Sequence, residues 1–154
     1  KGTGPISFHL GCEFYRDDHG TLCMGPKTYI ERMCLQYVSM FGTKPKSVYT
    51  SPLASNDHPE LDDSELLDDD GMHQYQSLLG VLQWTISLGR FDIATAVMTM
   101  SGFRTAPRIG HLDRLKRICG YLSKMKNGCI RVRVGTPDYT DTNTSNYDWS
   151  RRVY

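Results

Sequence analysis

Apolar and polar residues in the segment 75–103 follow the period of two helices separated by a break at 87–90. In the first helix the apolar residues fall within about 100° of arc, which predicts a stripe that packs against a core. This stripe consists of Leu78, Leu79, Leu82 and Ile86. The second helix begins near Asp92, and its apolar residues at helical spacing are Ile93, Ala96, Val97 and Met100. We therefore expect two helices that share one core.

The polar face of the first predicted helix carries two residues that helices seldom place there. Gln76, Gly80 and Trp84 follow one another at i, i+4 and i+8, with Gln83 and Ser87 beside them. A glycine inside a helix costs roughly 1 kcal/mol relative to alanine. A tryptophan away from the core stripe loses burial unless something else covers it. The pattern predicts that this face meets a partner.

A third amphipathic helix is predicted over 111–125, with an apolar stripe and a separate basic face. The basic face carries Arg114, Arg117, Tyr121 and Lys124. Basic side chains around an aromatic ring suit contacts to phosphates and sugars, although Lys and Arg are also common on plain solvent-exposed faces. The sequence leaves both interpretations open.

The N-terminal region alternates apolar and polar residues over 6–24, which predicts a β-hairpin around an Asp-Asp-His-Gly turn. Gly11 interrupts the first strand, so a bulge or the close approach of another backbone is expected there. Pro26 then precedes a predicted helix over 27–41, whose regular apolar stripe indicates a core-facing element.

The segment 43–72 contains three prolines and is predicted to be an exposed loop. Its acidic part, 57–70, is most simply a solvated linker, and a mimic of nucleic acid is the alternative. At the other end of the chain, alternation over 129–134 predicts a short strand, and 137–154 has no clear period and is expected to be a loop or linker.

Charge and cysteine content narrow the functional class. The net charge of +1 combines eight acidic residues within 57–70 with nine basic residues and one acid within 104–133, which favours a polyanionic partner.

The five cysteines are scattered and form no C-x-x-C pair, as expected for reduced thiols in the cytosol or nucleus. No apolar run approaches the ~18 residues of a membrane span, so no membrane partner is expected.

A Tyr-Arg-Asp-Asp sequence at 15–18 matches the Tyr-x-Asp-Asp box of reverse transcriptases, whose carboxylates hold two metal ions. Such a site needs a further carboxylate from a strand well upstream, and only fourteen residues precede Tyr15. The box is therefore interpreted as a hairpin turn, and we expect no catalytic or metal-binding residue in this sequence.

Six segments resemble, in order, motifs of the Ty1/copia-type reverse transcriptases of long-terminal-repeat retrotransposons. The motifs are G-P-L-x-x-F-L-G-I-E, K-Y-I, S-T-P-L, Y-R-x-L-V-G, R-P-D-I-A and H-x-x-A-x-K-R-V-L-R-Y-L, and the matching segments are 4–13, 27–30, 50–53, 75–80, 90–94 and 111–122. Phe91 departs from the family's usual proline, which puts the sharpness of the helix break in doubt.

This resemblance implies a fragment of an RNA-directed DNA polymerase. The family's catalytic aspartates would precede this sequence and its ribonuclease H carboxylates would follow it, so Mg²⁺ is expected in the missing palm and no cofactor in the fragment. The partners implied are an RNA/DNA or DNA/DNA primer-template duplex and the palm, fingers and ribonuclease H regions of the parent polyprotein. The implied location is cytoplasmic, in a virus-like particle, or nuclear.

The same resemblance assigns roles to particular residues. Leu10, Gly11 and Cys12 correspond to the primer grip, and Gln76, Gly80 and Trp84 to the thumb residues that lie along the minor groove of the duplex. The alternative is a non-catalytic nucleic-acid-binding helical module from a decayed or domesticated element.

The expected fold class is α+β, with an N-terminal β-hairpin, a mostly helical thumb-like region and a short C-terminal strand. The expected divisions are the end of the palm (1–25), a thumb helix (26–42), the acidic loop (43–72), the thumb and connection helices (73–126), and a strand and linker toward ribonuclease H (127–154).

Overall fold

The computed structural model describes residues 4–132. Within this range, four antiparallel strands form one sheet in the order β1-β2-β3-β4: Phe8–His9, Cys12–Arg16, Leu22–Gly25 and Ile130–Val132. The same range holds four α-helices, α1 to α4: Lys27–Phe41, Asp69–Ser87, Ala94–Ser101 and Ile109–Lys124. Short 3-10 turns lie at Pro59–Leu61 and Phe91–Ile93. The α+β fold class is confirmed.

The first predicted strand is in fact two strands joined by a tight turn. His9 pairs with Cys12 across Leu10 and Gly11, whose φ angles of 51° and 102° are both positive. Positive φ at both central residues is the mark of a type I′ hairpin turn. Gly11 is therefore a turn residue and not a bulge, because the chain reverses direction there.

The turn predicted around the Tyr-Arg-Asp-Asp sequence is confirmed. The Asp17 carboxylate accepts hydrogen bonds from the backbone N–H groups of His19 at 3.0 Å and Thr21 at 2.9 Å. Gly20 has a φ of 74° and donates its N–H to the Asp17 carbonyl. The first aspartate of the box thus organises the connection between β2 and β3.

Helix α1 has the predicted bounds and ends at Gly42, which has the left-handed conformation expected after a helix. Its N-terminus is capped from the sheet. The Glu13 carboxylate of β2 accepts the backbone N–H groups of Lys27 at 3.0 Å and Thr28 at 2.9 Å. A carboxylate at a helix N-terminus satisfies otherwise unpaired donors and favours the helix dipole, so Glu13 fixes α1 against the sheet.

The helical core lies where α1, α2, α3 and α4 meet. Leu78, Leu79 and Leu82 of the predicted α2 stripe are at most 2% exposed, whereas Ile86 is only partly buried. The remaining core residues are Ile30, Met33, Tyr37, Tyr75, Ile93, Ala96, Val97, Met100, Leu112, Leu115, Ile118, Cys119 and Leu122. Four amphipathic stripes therefore form one apolar interior.

The break between α2 and α3 is confirmed and is anchored by a buried arginine. Gly89 adopts a φ of 101° after the buried Leu88. Arg90, only 3% exposed, donates to both carboxylate oxygens of Asp92 at 2.9 and 2.7 Å and to the Met125 carbonyl at 2.9 Å. This guanidinium joins the break to the C-terminal end of α4, whose last carbonyls favour a cation.

The acidic segment is only in part the predicted solvated linker, because most of its carboxylates are exposed but two of them pair with α4. Arg114 of α4 forms ion pairs with Asp57 and Asp62, and side-chain exposures in these pairs do not exceed 19%. The Ser64 hydroxyl and Arg114 lower the pKa of Asp62 to about 2. Asp68 caps α2 by accepting the Gly71 N–H, so the helix begins before the end of the predicted loop. The segment is thus held against the start of α4.

Part of the C-terminal prediction lies outside the described residues. Strand β4 covers Ile130–Val132, within the predicted 129–134, and completes the sheet by pairing with β3. The expected loop or linker at 137–154 lies wholly outside residues 4–132.

Among the helices described, none is long and apolar enough to cross a membrane.

Candidate nucleic-acid interface

The polar face of α2 is exposed along most of the helix. Gln76, Gly80 and Trp84 all lie at the surface, and the Trp84 side chain is 44% exposed. Since α2 begins at Asp69, the exposed His73 extends the same row by one turn toward the N-terminus. His73, Gln76, Gly80 and Trp84 together form the α2 face.

His73 was not identified from the sequence because the first helix was recognised only from Tyr75. A signal for the earlier start was present: Asp68, Asp69 and Asp70 form a run of acids suited to a helix cap and first turn. The α2 face is thus longer than the sequence pattern indicated.

Packing within residues 4–132 does not require a glycine at position 80. A Cβ atom built there would meet no heavy atom of these residues within 4 Å. Its φ is that of an ordinary helical residue, so no special backbone conformation requires it either. A glycine in an open helix interior costs stability, and its missing side chain permits close approach of another group.

The β1–β2 turn lies at the C-terminal end of α2. A Cβ atom on Gly11 would stand 3.3 Å from the Leu88 side chain, and the Cys12 thiol donates to the Leu88 carbonyl at 3.3 Å. Trp84 lies one helical turn before Leu88, about 6 Å along the helix axis. The turn and the α2 face therefore belong to the same region of the molecule.

The three residues of that turn differ in access to solvent. Leu10 is 66% exposed, whereas Gly11 is buried and Cys12 is only 4% exposed. Burial, followed by the charge of Glu13, raises the pKa of the Cys12 thiol, so it remains protonated and uncharged. Of the three predicted contact residues, only Leu10 exposes its side chain to solvent, and the other two hold the turn against α2.

The predicted basic face of α4 is largely engaged within the chain. Arg114 is paired with the acidic segment, as described above, and Arg117 lies over the Tyr49 ring at 4.4 Å. The Tyr121 hydroxyl donates to Asp92 at 2.8 Å, and the Lys124 ammonium donates to the Val48 carbonyl at 3.2 Å. Lys124 is the most exposed of the four, and phosphate binding by these residues stays a prediction.

The α2 face offers an imidazole, an amide and an indole, and it contains no Lys or Arg side chain. A glutamine amide can donate to and accept from minor-groove edges, and an indole can pack on sugars without choosing a sequence. Within residues 4–132, no group of three or more His, Cys, Asp or Glu is placed to hold a metal ion. The arrangement suits binding of a nucleic-acid backbone and groove.

Comparison with known proteins points to a mobile element. The chain is 26% identical over 138 residues to a transposon Ty5-1 protein of Saccharomyces cerevisiae. The aligned region is 88% of this chain and 42% of that protein, so the chain spans less than half of its relative's length. No protein-family model matches the chain, and no solved structure matches it. The similarity supports a retrotransposon origin for the chain.

Proposed function

We propose that the chain is part of an RNA-directed DNA polymerase of a retrotransposon and that the α2 face holds the primer-template duplex. The observation that carries this proposal is the exposed row of Gln76, Gly80 and Trp84, with open space above Gly80. The transposon relative and the motif order support it. Polymerisation and its Mg²⁺ ions belong, in this proposal, to other regions of the parent protein.

The proposed mechanism is positioning of the duplex. Gly80 lets the α2 backbone approach the minor groove, where Gln76 contacts base edges or sugars and Trp84 packs on sugar faces. A·T and T·A pairs present the same acceptors in the minor groove, so these contacts discriminate little between sequences. A polymerase must hold every sequence it copies, and contacts to shape and backbone meet that need.

Direct binding tests the proposal. Fluorescence anisotropy with labelled RNA/DNA hybrids about two helical turns long (~20 base pairs) should show saturable binding. Two unrelated sequences should bind with affinities within about threefold, because minor-groove readout is degenerate. If no saturable binding to a hybrid or DNA duplex appears even at low salt, the proposal is wrong.

Gly80→Ala separates stability from binding. The substitution should raise the free energy of unfolding by about 0.5–1 kcal/mol, because alanine favours the helix and the added methyl group meets open space. Duplex affinity should fall about tenfold, ~1.4 kcal/mol, because the methyl group holds the duplex away from the backbone. Urea unfolding and anisotropy measure the two effects.

Ser39→Ala is the matched control, since Ser39 lies on an exposed position of α1. It should add helix propensity and leave duplex affinity unchanged. A Gly80→Ala protein that binds the duplex as well as the wild-type protein would remove Gly80 from the proposed contact.

A further inference from the structure

A second concave surface lies between the end of α1, the segment that follows it, and α4. Its cavity has a volume of about 400 Å³, and the lining includes Tyr37, Lys44, Lys46, Tyr49, Lys116 and Arg117. Helix α4 packs against the buried stripe of α2, whereas the α2 face lies on the exposed side of α2. The described lining of the cavity comes from α1, the segment after it and α4, so the cavity is separate from the α2 face.

The lining of this cavity is strongly basic. Four of its residues are cationic, and the single carboxylate is that of Asp113. Asp113 is 65% exposed and stands 3.3 Å from the Lys116 ammonium. An exposed ion pair of this kind gives a small net attraction and is screened by solvent, so Asp113 leaves most of the positive potential available.

Arg117 is incompletely satisfied by the chain itself. Its Nη2 donates to the Ser51 hydroxyl and the Leu53 carbonyl at the long distances of 3.3 and 3.4 Å. Its Nε is buried and has no hydrogen-bond partner, the one such side-chain atom found in residues 4–132. An unpaired buried donor costs about 1–3 kcal/mol, so the described part of the chain leaves some of the hydrogen-bonding capacity of Arg117 unused.

The segment that carries Lys44 and Lys46 is fixed to α4. The Lys46 carbonyl and the Tyr49 ring pack against Gly120, where a Cβ atom would overlap with both. The Arg117 guanidinium lies over the Tyr49 ring, 4.4 Å from its centroid, and Tyr37 is only 6% exposed. Burial raises the pKa of the Tyr37 hydroxyl, which therefore stays protonated and able to donate. The cavity is thus preformed and not dependent on a loop folding over its ligand.

We propose that this cavity binds a phosphate group of a nucleotide, either free or within a single-stranded nucleic acid. Lysine and arginine groups suit the phosphate oxygens. A volume near 400 Å³ is at the lower end of small-molecule sites and admits one nucleotide.

The test compares two double variants of the full chain. Lys44→Gln/Lys46→Gln removes two exposed cations of the cavity, and the control, Lys27→Gln/Arg32→Gln, removes two exposed cations of α1. The probes are thymidine monophosphate, followed by equilibrium dialysis, and a labelled oligothymidylate of about ten nucleotides, followed by anisotropy. The cavity variant should bind the oligothymidylate at least tenfold more weakly, with a salt slope reduced by about 1.4.

The outcomes distinguish the source of the nucleotide. Equal weakening of both probes assigns the cavity to a free nucleotide, and weakening of the oligothymidylate alone assigns it to a strand. Equal losses in the cavity variant and the control variant would show only general charge attraction and overturn the proposal. The proposal is also wrong if the wild-type chain binds neither of the two probes. Trp84→Ala should leave this binding unchanged, so the outcome is independent of the duplex proposal.

Discussion

Replacing Trp84 with alanine is expected to weaken binding of an RNA/DNA hybrid by about 10- to 100-fold. Covering the exposed aromatic surface of Trp84 by the duplex contributes about 1–3 kcal/mol, and alanine removes this contribution entirely. Because Trp84 is already 44% exposed, the loss in folding stability should stay near 1–2 kcal/mol, below the value for a buried tryptophan. Anisotropy titrations and urea unfolding measure both quantities.

Val81→Ala is the control for this experiment. Val81 lies on α2, is partly buried and packs against the core, so alanine should cost comparable stability without altering the α2 face. Trp84→Phe should restore part of the affinity because it keeps an aromatic surface. If Trp84→Ala and Val81→Ala reduce duplex affinity equally, Trp84 affects affinity only through folding stability. The proposed contact between Trp84 and the minor groove is then wrong.

Arg90→Ala is expected to lower the free energy of unfolding by about 3 kcal/mol. The change leaves the Met125 carbonyl and the Asp92 carboxylate without their guanidinium partner, and breaking a buried ion pair by removing one side typically costs about 3–5 kcal/mol. Asp92 is 37% exposed, which places the expected cost at the lower end. Urea unfolding followed by circular dichroism measures it.

Lys126→Gln provides the contrast, because Lys126 forms an exposed ion pair with Glu31 at 2.9 Å. Its loss should cost no more than about 0.5 kcal/mol. A similarly small cost for Arg90→Ala would show that the buried network does not hold the helix break in place.

The Arg90 network also has an expected pH dependence. Burial by itself would raise the pKa of Asp92, but hydrogen bonds from Arg90 and Tyr121 outweigh burial and hold the pKa below its usual range. A carboxyl group whose pKa is lowered by folding stabilises the protein above its unfolded pKa, about 4. That contribution is lost as the pH falls through the folded pKa. As the pH is lowered below about 4, the free energy of unfolding of Arg90→Ala should therefore fall less than that of the wild-type protein.

Local patterns were sufficient to predict several elements of this fold. The α1 stripe, preceded by Pro26 and followed by Gly42, predicted the helix at its observed bounds. The break after α2 was predicted in the right place, and Gly89 supplies the positive φ that ends the helix. Each of these features depends on residues that are close together in the chain.

Features that depend on distant residues were not predicted. Asp57 pairs with Arg114 across 57 positions, so the charge asymmetry of the sequence gave no sign that the acidic segment neutralises part of the basic face. The Leu10–Gly11 turn escaped recognition because a two-residue turn preserves the alternation of the flanking strands. Most of the exposed α2 face was predicted because all of its residues lie on one helix. His73 was missed because the sequence pattern indicated a helix only from Tyr75, whereas α2 begins at Asp69.

The central claim is that the α2 face contacts the duplex. Titration of the ¹⁵N-labelled chain with an RNA/DNA hybrid, followed by two-dimensional NMR, tests it most directly. We expect the largest shifts at the amides of Gln76 and Gly80 and at the indole N–H of Trp84. Shifts confined to α4, with the Trp84 indole unaffected, would contradict the account.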